Sequence, residues 1–124
     1  MRERTDADDI VQGAYNRALL ELILPSMRRA ATEAGYALTV HGSLNRDIDL
    51  VAVPWREHNV WTRDALLESL NGAVRGVTGR CSLHGEWTTK PHGRMAKGLI
   101  AWCGESIAHL DISFMPSIAT EKQE

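Results

Sequence analysis

Residues 39–55, TVHGSLNRDIDLVAVPW, most restrict what this chain can fold into. A short apolar run ends at Gly42-Ser43, a tight polar link follows, and a second apolar run opens on two carboxylates, Asp47 and Asp49. Side chains two residues apart on a strand share a face. The spacing therefore aims Asp47 and Asp49 into one small volume, while Ile48 and Leu50 point the other way. Like charges held that close call for a compensating cation. A divalent metal carrying a nucleotide phosphate meets the need, because Mg²⁺ is typically held by one or two protein carboxylates plus substrate phosphates.

The flanking chain reads as the scaffold for that stretch. Asp6, Asp8 and Asp9 place negative charge where a helix begins, which favours its dipole, and Asp6 or Asp8 is the expected cap. From Ile10 onward Val11, Ala14 or Tyr15, Ala18, Leu19 and Leu22 recur at helical spacing, with Leu20, Ile23, Leu24 and Met27 widening the stripe, so a largely buried helix is expected. Pro25 removes a backbone donor and disfavours helical geometry at Leu24, which predicts a kink or a restart. Helix resumes over 27–33, Gly35 caps it, and a strand over 36–40 follows.

A second helix, capped by Thr62, runs from about Asp64 through Leu66, Leu67, Leu70, Ala73, Val74 and Val77 to Gly79, with an apolar stripe suited to the back of a sheet. Strands over 81–90, 95–102 and 107–115 are then separated by Pro91-His92-Gly93 and Gly104-Glu105, which predicts an antiparallel meander. In the last strand Leu110, Ile112 and Phe114 alternate with His109, Asp111 and Ser113, so Asp111 falls on a polar face. Together the elements predict an α+β domain, a mixed sheet of about five strands with two main helices packed on one face and Asp47, Asp49 and Asp111 on the other.

The 124 residues fit one domain, with 1–5 and 117–124 as flexible tails. A net charge of −2 and a pI near 6.2 leave no global footprint of a nonspecific nucleic-acid binder. No apolar run approaches the ~20 residues of a membrane span, and no secretory leader opens the chain. A cytoplasmic protein with Cys81 and Cys103 as free thiols is expected.

Gly42-Ser43 at a strand end, Asp47-Ile48-Asp49 opening the next strand and the single carboxylate of Leu110-Asp111-Ile112 resemble the nucleotidyltransferase superfamily that includes DNA polymerase beta. The nearest likeness is to its smallest members, the minimal nucleotidyltransferases, in a phage-type version, and it covers most of the chain. The resemblance implies that Asp47 and Asp49 ligate Mg²⁺ (or Mn²⁺) bound to a nucleoside triphosphate, and that Asp111 completes the site and acts on the attacking hydroxyl. It implies that Gly42 lets the backbone approach the β and γ phosphates, where Ser43 supplies a hydroxyl and an N–H. Three carboxylates shared by two ions ~3.5–4 Å apart fit in-line transfer to an unknown hydroxyl-bearing acceptor.

The chain departs from the family's pattern at one place. Only Leu44, Asn45 and Arg46 separate Ser43 from Asp47, where the family has a longer segment that includes the start of a helix embracing the triphosphate. Arg46, together with Lys90, Arg94 and Lys97 around the Pro91-His92-Gly93 turn, is a candidate for the missing phosphate contacts. The short loop also leaves room for an alternative, a catalytically degenerate nucleotidyltransferase fold acting as a protein-binding or regulatory module with a partner protein.

Other readings of single residues stand beside these. Asp47 finishing a turn and Asp49 pairing with Arg46 or Arg63 would be purely structural. His41 and His109 are candidates for phosphate contact or proton transfer near the cleft, and His92 reads as a turn residue. A zinc site from His84, His109, Cys81 and Cys103 lacks the compact spacing of zinc motifs. Among four tryptophans, Trp102 reads as core and Trp87 as the one suited to a surface role; the number also suits a homodimer.

Overall fold

The structure, a computed structural model, describes residues 3–116. Helix α1 (Asp6–Ala34) opens on a capping box, in which Thr5 Oγ1 accepts the Asp8 N–H at 3.2 Å and the Asp8 carboxylate accepts the Thr5 N–H at 2.8 Å. The cap is thus Thr5 rather than Asp6 or Asp8. A hydroxyl just before the first turn reaches the free N–H groups, and Asp8 answers from the third helical position. Arg4, from the stretch expected to fray, donates to Asp9 at 2.7 Å.

Pro25 lies inside α1, and the helix passes through it without restarting. Ile23 and Met27, on either side of it, are fully buried, so packing holds the turn that lacks a backbone hydrogen bond. The buried face also differs from the expected stripe. Gly13, Asn16, Leu19, Leu20, Ile23, Met27, Ala31 and Ala34 face inward, whereas Val11 and Leu22 are 69% and 60% exposed. A helix lying on one side of a sheet buries a single stripe, and here the buried stripe includes a glycine and an asparagine.

Helix α2 (Arg63–Thr78) is capped as expected by Thr62, whose hydroxyl accepts the Ala65 N–H at 3.2 Å, and it buries Leu66, Leu67, Leu70 and Val74. The strands are β1 (Tyr36–His41), β2 (Ile48–Pro54), β3 (Arg80–Thr89), β4 (Met95–Cys103) and β5 (Ser106–Phe114), arranged in the order β1-β2-β5-β4-β3. β3, β4 and β5 form the antiparallel meander, and β1 pairs antiparallel with β2. The two blocks join through a parallel pairing of β2 with β5. The protein is therefore an α+β domain with a mixed five-stranded sheet. Ile48, Leu50, Leu110 and Ile112 from the sheet share one core with Ile23, Met27, Leu66 and Leu70 from the helices.

Among the described residues no helix covers the opposite sheet face, and alternation along the strands places Asp49, Val51, His109, Asp111 and Ser113 there. A register shift in the β3–β4 hairpin between His84 and Thr88 sets Cys81 opposite Ala101 rather than near Cys103. Both cysteines are free; Cys103 is exposed, and burial pushes the Cys81 thiol up to about 11. Trp87 and Trp102 are both half-buried, where core was expected for Trp102 and the surface for Trp87. Trp87 packs its ring against Phe114 at 5.6 Å beneath Arg63, and Trp102 lies half-buried under the Arg80 guanidinium at 4.2 Å. Strand alternation decides this, because Trp102 follows core-facing Ala101 and so points to the open side.

No helix of the described residues is long and apolar enough to cross a membrane. The expected tail at 117–124 lies outside the described residues. Pro25→Ala should stabilise the domain by about 2 kcal/mol, the helix-interior penalty of proline less what its rigidity saves in the unfolded chain, as read from chemical denaturation.

Candidate active site

The site begins with a register. In the parallel pairing of β2 with β5, Asp49 and Asp111 are direct partners, flanked by Ile48 with Leu110 and Leu50 with Ile112 on the core side. Partners on neighbouring strands stand about 4.8 Å apart and project to the same face. Both aspartates are half-buried. Burial, then the charge of Asp111, then that of Asp47 push the Asp49 carboxyl above its ordinary range, with His41 and Lys90 opposing. The structure thus brings Asp47, Asp49 and Asp111 into one electrostatic neighbourhood. His41, at the end of β1, is the register partner of Asp49.

Gly42 follows with φ 82°, and a Cβ placed on it would sit 2.9 Å from Asp49 Oδ2. Only glycine fits both the left-handed backbone and the carboxylate beside it. The loop from Gly42 to Asp47 has a second strained point at Leu44, φ 69°. It is pinned from α1: Asn16, fully buried, donates to the Leu44 carbonyl at 2.8 Å and accepts from Gln12 at 2.9 Å. Arg17 reaches the Ser43 carbonyl at 3.4 Å and the Asn45 side chain at 3.3 Å. Gly13 allows the close approach, since a Cβ there would lie 2.7 Å from Asn45 Oδ1. A reading guided by apolar periodicity passes over Gly13 and Asn16; the signal is that Asn16 sits three and four residues before Leu19 and Leu20, and Gly13 three before Asn16.

The candidate phosphate-binding residues separate into two groups. Lys90 Nζ lies 3.4 Å from Asp111 Oδ2, so one ammonium offsets part of the carboxylates' charge. Arg46 turns instead to Asp9 at 3.4 Å, Arg94 donates to the Pro91 carbonyl at 3.1 Å, and Lys97 extends over the Trp87 ring at 5.9 Å. Neither Arg46 nor Arg63 pairs with Asp49, Arg63 being stacked on Trp87. The Ser43 hydroxyl accepts the Asn45 N–H at 3.2 Å and so shapes the loop. Among the described residues no three His, Cys, Asp or Glu side chains are gathered as a ready-made metal cage. The donor chemistry nonetheless suits a hard divalent ion: all-oxygen ligands, excess negative charge and a carboxyl that its neighbours resist ionising.

Beside Asp111 the open face sinks into a cleft of about 230 Å³ that runs from Asp47 to His84, Glu86 and His109 across Gly98. Gly98 is the register partner of both His84 and Asp111, and its missing side chain makes the hollow. The His84 and His109 rings meet edge to face at 5.6 Å. Neither a protein-family model nor a characterised protein matches the chain in sequence.

Two outcomes follow from the geometry. Because the Asp49 carboxyl binds its proton more tightly folded than unfolded, the folded state is penalised as pH rises through the carboxylate range. Asp49→Asn should therefore raise the melting temperature at pH 7, and the gain should fade as pH falls toward about 4. Asn16→Ala should cost about 2 kcal/mol in denaturation and speed amide exchange across 42–47, since it leaves the Leu44 carbonyl without its buried donor.

Proposed function

We propose that the protein is a metal-dependent nucleotidyltransferase, moving a nucleotidyl group from a nucleoside triphosphate to a hydroxyl acceptor. The observation that carries this reading is the pairing of Asp49 with Asp111 across the parallel ladder, with Asp47 and Gly42 beside them. Burial and the charges of Asp111 and Asp47 raise the proton affinity of Asp49, an arrangement unfavourable in the free protein and favourable around a cation. Mg²⁺ or Mn²⁺ held by Asp47, Asp49 and Asp111 would neutralise the phosphate oxygens and the departing pyrophosphate.

The chain's own residues supply position and proton transfer. The acceptor oxygen bonds to the α-phosphorus as the bond to the bridging oxygen breaks in line, pyrophosphate leaves, and the hydroxyl proton passes to Asp111. Gly42 leaves room beside Asp49 for phosphate oxygens, and Lys90, on a flexible stem beside the carboxylates, is within reach of them. A cytoplasmic location, with nucleoside triphosphates and free thiols, suits the reading.

The ion pair of Lys90 with Asp111, the pairing of Arg46 with Asp9 and the internal bond of Ser43 favour a second reading, a catalytically degenerate fold that binds a partner protein. The two are separable. On the first, ATP, GTP, CTP or UTP with Mg²⁺ or Mn²⁺ stabilises the chain by about 2.7 kcal/mol at a hundredfold excess over Kd, and Asp49→Asn and Asp111→Asn abolish the effect. If no nucleotide shifts the melt, while the protein purifies with a stoichiometric partner and both substitutions leave its function whole, the second reading replaces it.

A further inference from the structure

We infer that the outward stripe of α1 is a dimer seam, against which a second copy of the chain lays the same helix in the opposite direction. Val11, Tyr15, Ala18 and Leu22 follow one another in steps of four, three and four residues, which keeps them on one line of the helix. That is the spacing of a seam between two helices. Val11 is 69% exposed and Leu22 60%, Ala18 lies open between them, and Tyr15 is half-buried. The core lies under another side of α1, so among the described residues Val11, Ala18 and Leu22 stay uncovered. The turn between β4 and β5 widens the surface. Tyr15 Oη donates to the Ser106 carbonyl at 3.3 Å, Gln12 donates to the Ile107 carbonyl at 3.3 Å, and the Ile107 side chain is 43% exposed beside them.

Two features make the occupant a second copy. The line reads the same in both directions about a point between Tyr15 and Ala18, as a self-complementary two-fold contact requires. An antiparallel copy centred there sets Tyr15 against the partner's Ala18 and Val11 against the partner's Leu22, so that at each level a larger side chain faces a smaller one. Charge selects the same direction. α1 opens with Asp6, Asp8 and Asp9, and Arg29 stands on the apolar line seven residues beyond Leu22. In the antiparallel pair Arg29 comes beside the acidic first turn of the other copy, where Arg4 is already spent on Asp9 at 2.7 Å. A parallel pair would instead set acid against acid and arginine against arginine.

Sedimentation of the full chain tests this without any nucleotide, over concentrations from about 1 to about 200 µM. A seam of four levels suits a weak dimer with Kd on the order of 10 µM, so the mass should rise with concentration from 13.8 kDa toward twice that value. Val11→Glu and Leu22→Glu should each weaken association at least about thirtyfold, because the carboxylate would be buried in the seam. Both positions are open in the single chain and Glu is a good helix former, so the melting temperature of the dilute protein should hold. Arg29→Glu should weaken association about fivefold. Trp55→Ser, at a site 54% exposed beyond β2, should leave it unchanged. The inference is overturned if the chain stays monomeric at the top of the range, if Leu22→Glu associates as well as the unaltered chain, or if Trp55→Ser is the change that dissolves the dimer.

Discussion

Two carboxylates held one strand spacing apart by a parallel ladder are the constraint on which the rest of this protein depends. Asp49 and Asp111 share the open face only because β5 inserts beside β2 with this register. A slip of one residue would turn Asp111 into the core and Ile112 out of it. The register is fixed from the other side of the sheet, where Ile48, Leu50, Leu110 and Ile112 are buried against the helices. The apolar packing of one face therefore sets the electrostatics of the other.

Support for the site comes from a distance along the chain. Asn16 and Gly13 occupy the face of α1 that would otherwise be apolar, and there they hold a loop with a left-handed leucine at its centre. A buried polar side chain is tolerated because its hydrogen bonds are complete, to Leu44 on one side and Gln12 on the other. The link is too short for a helix of its own, and α1 holds it in place.

Much of this was legible in the residues. Thr62 and Gly79 bounded α2, the turns at Pro91-His92-Gly93 and Gly104-Glu105 divided the meander, and alternation around Asp111 chose its face, since each depends on contacts within a few residues. Two errors share one cause. Pro25 did not interrupt α1, and Val11 and Leu22 stayed exposed, because packing against distant elements outweighed local preference. The hollow was illegible for the same reason: Gly98, His84 and Asp111 meet only when three strands align.

The sequence by itself determined the elements, most of their ends and the polar face of the last strand, for these follow from short-range periodicity and turn chemistry. It also supplied all three aspartates and the glycine beside them. Tertiary structure alone decided that β2 and β5 run parallel as neighbours, that Lys90 rather than Arg46 meets the carboxylates, and that a cleft opens over Gly98. Those outcomes depend on long-range pairing, which is selected by burying one continuous core and leaves no mark at any single position.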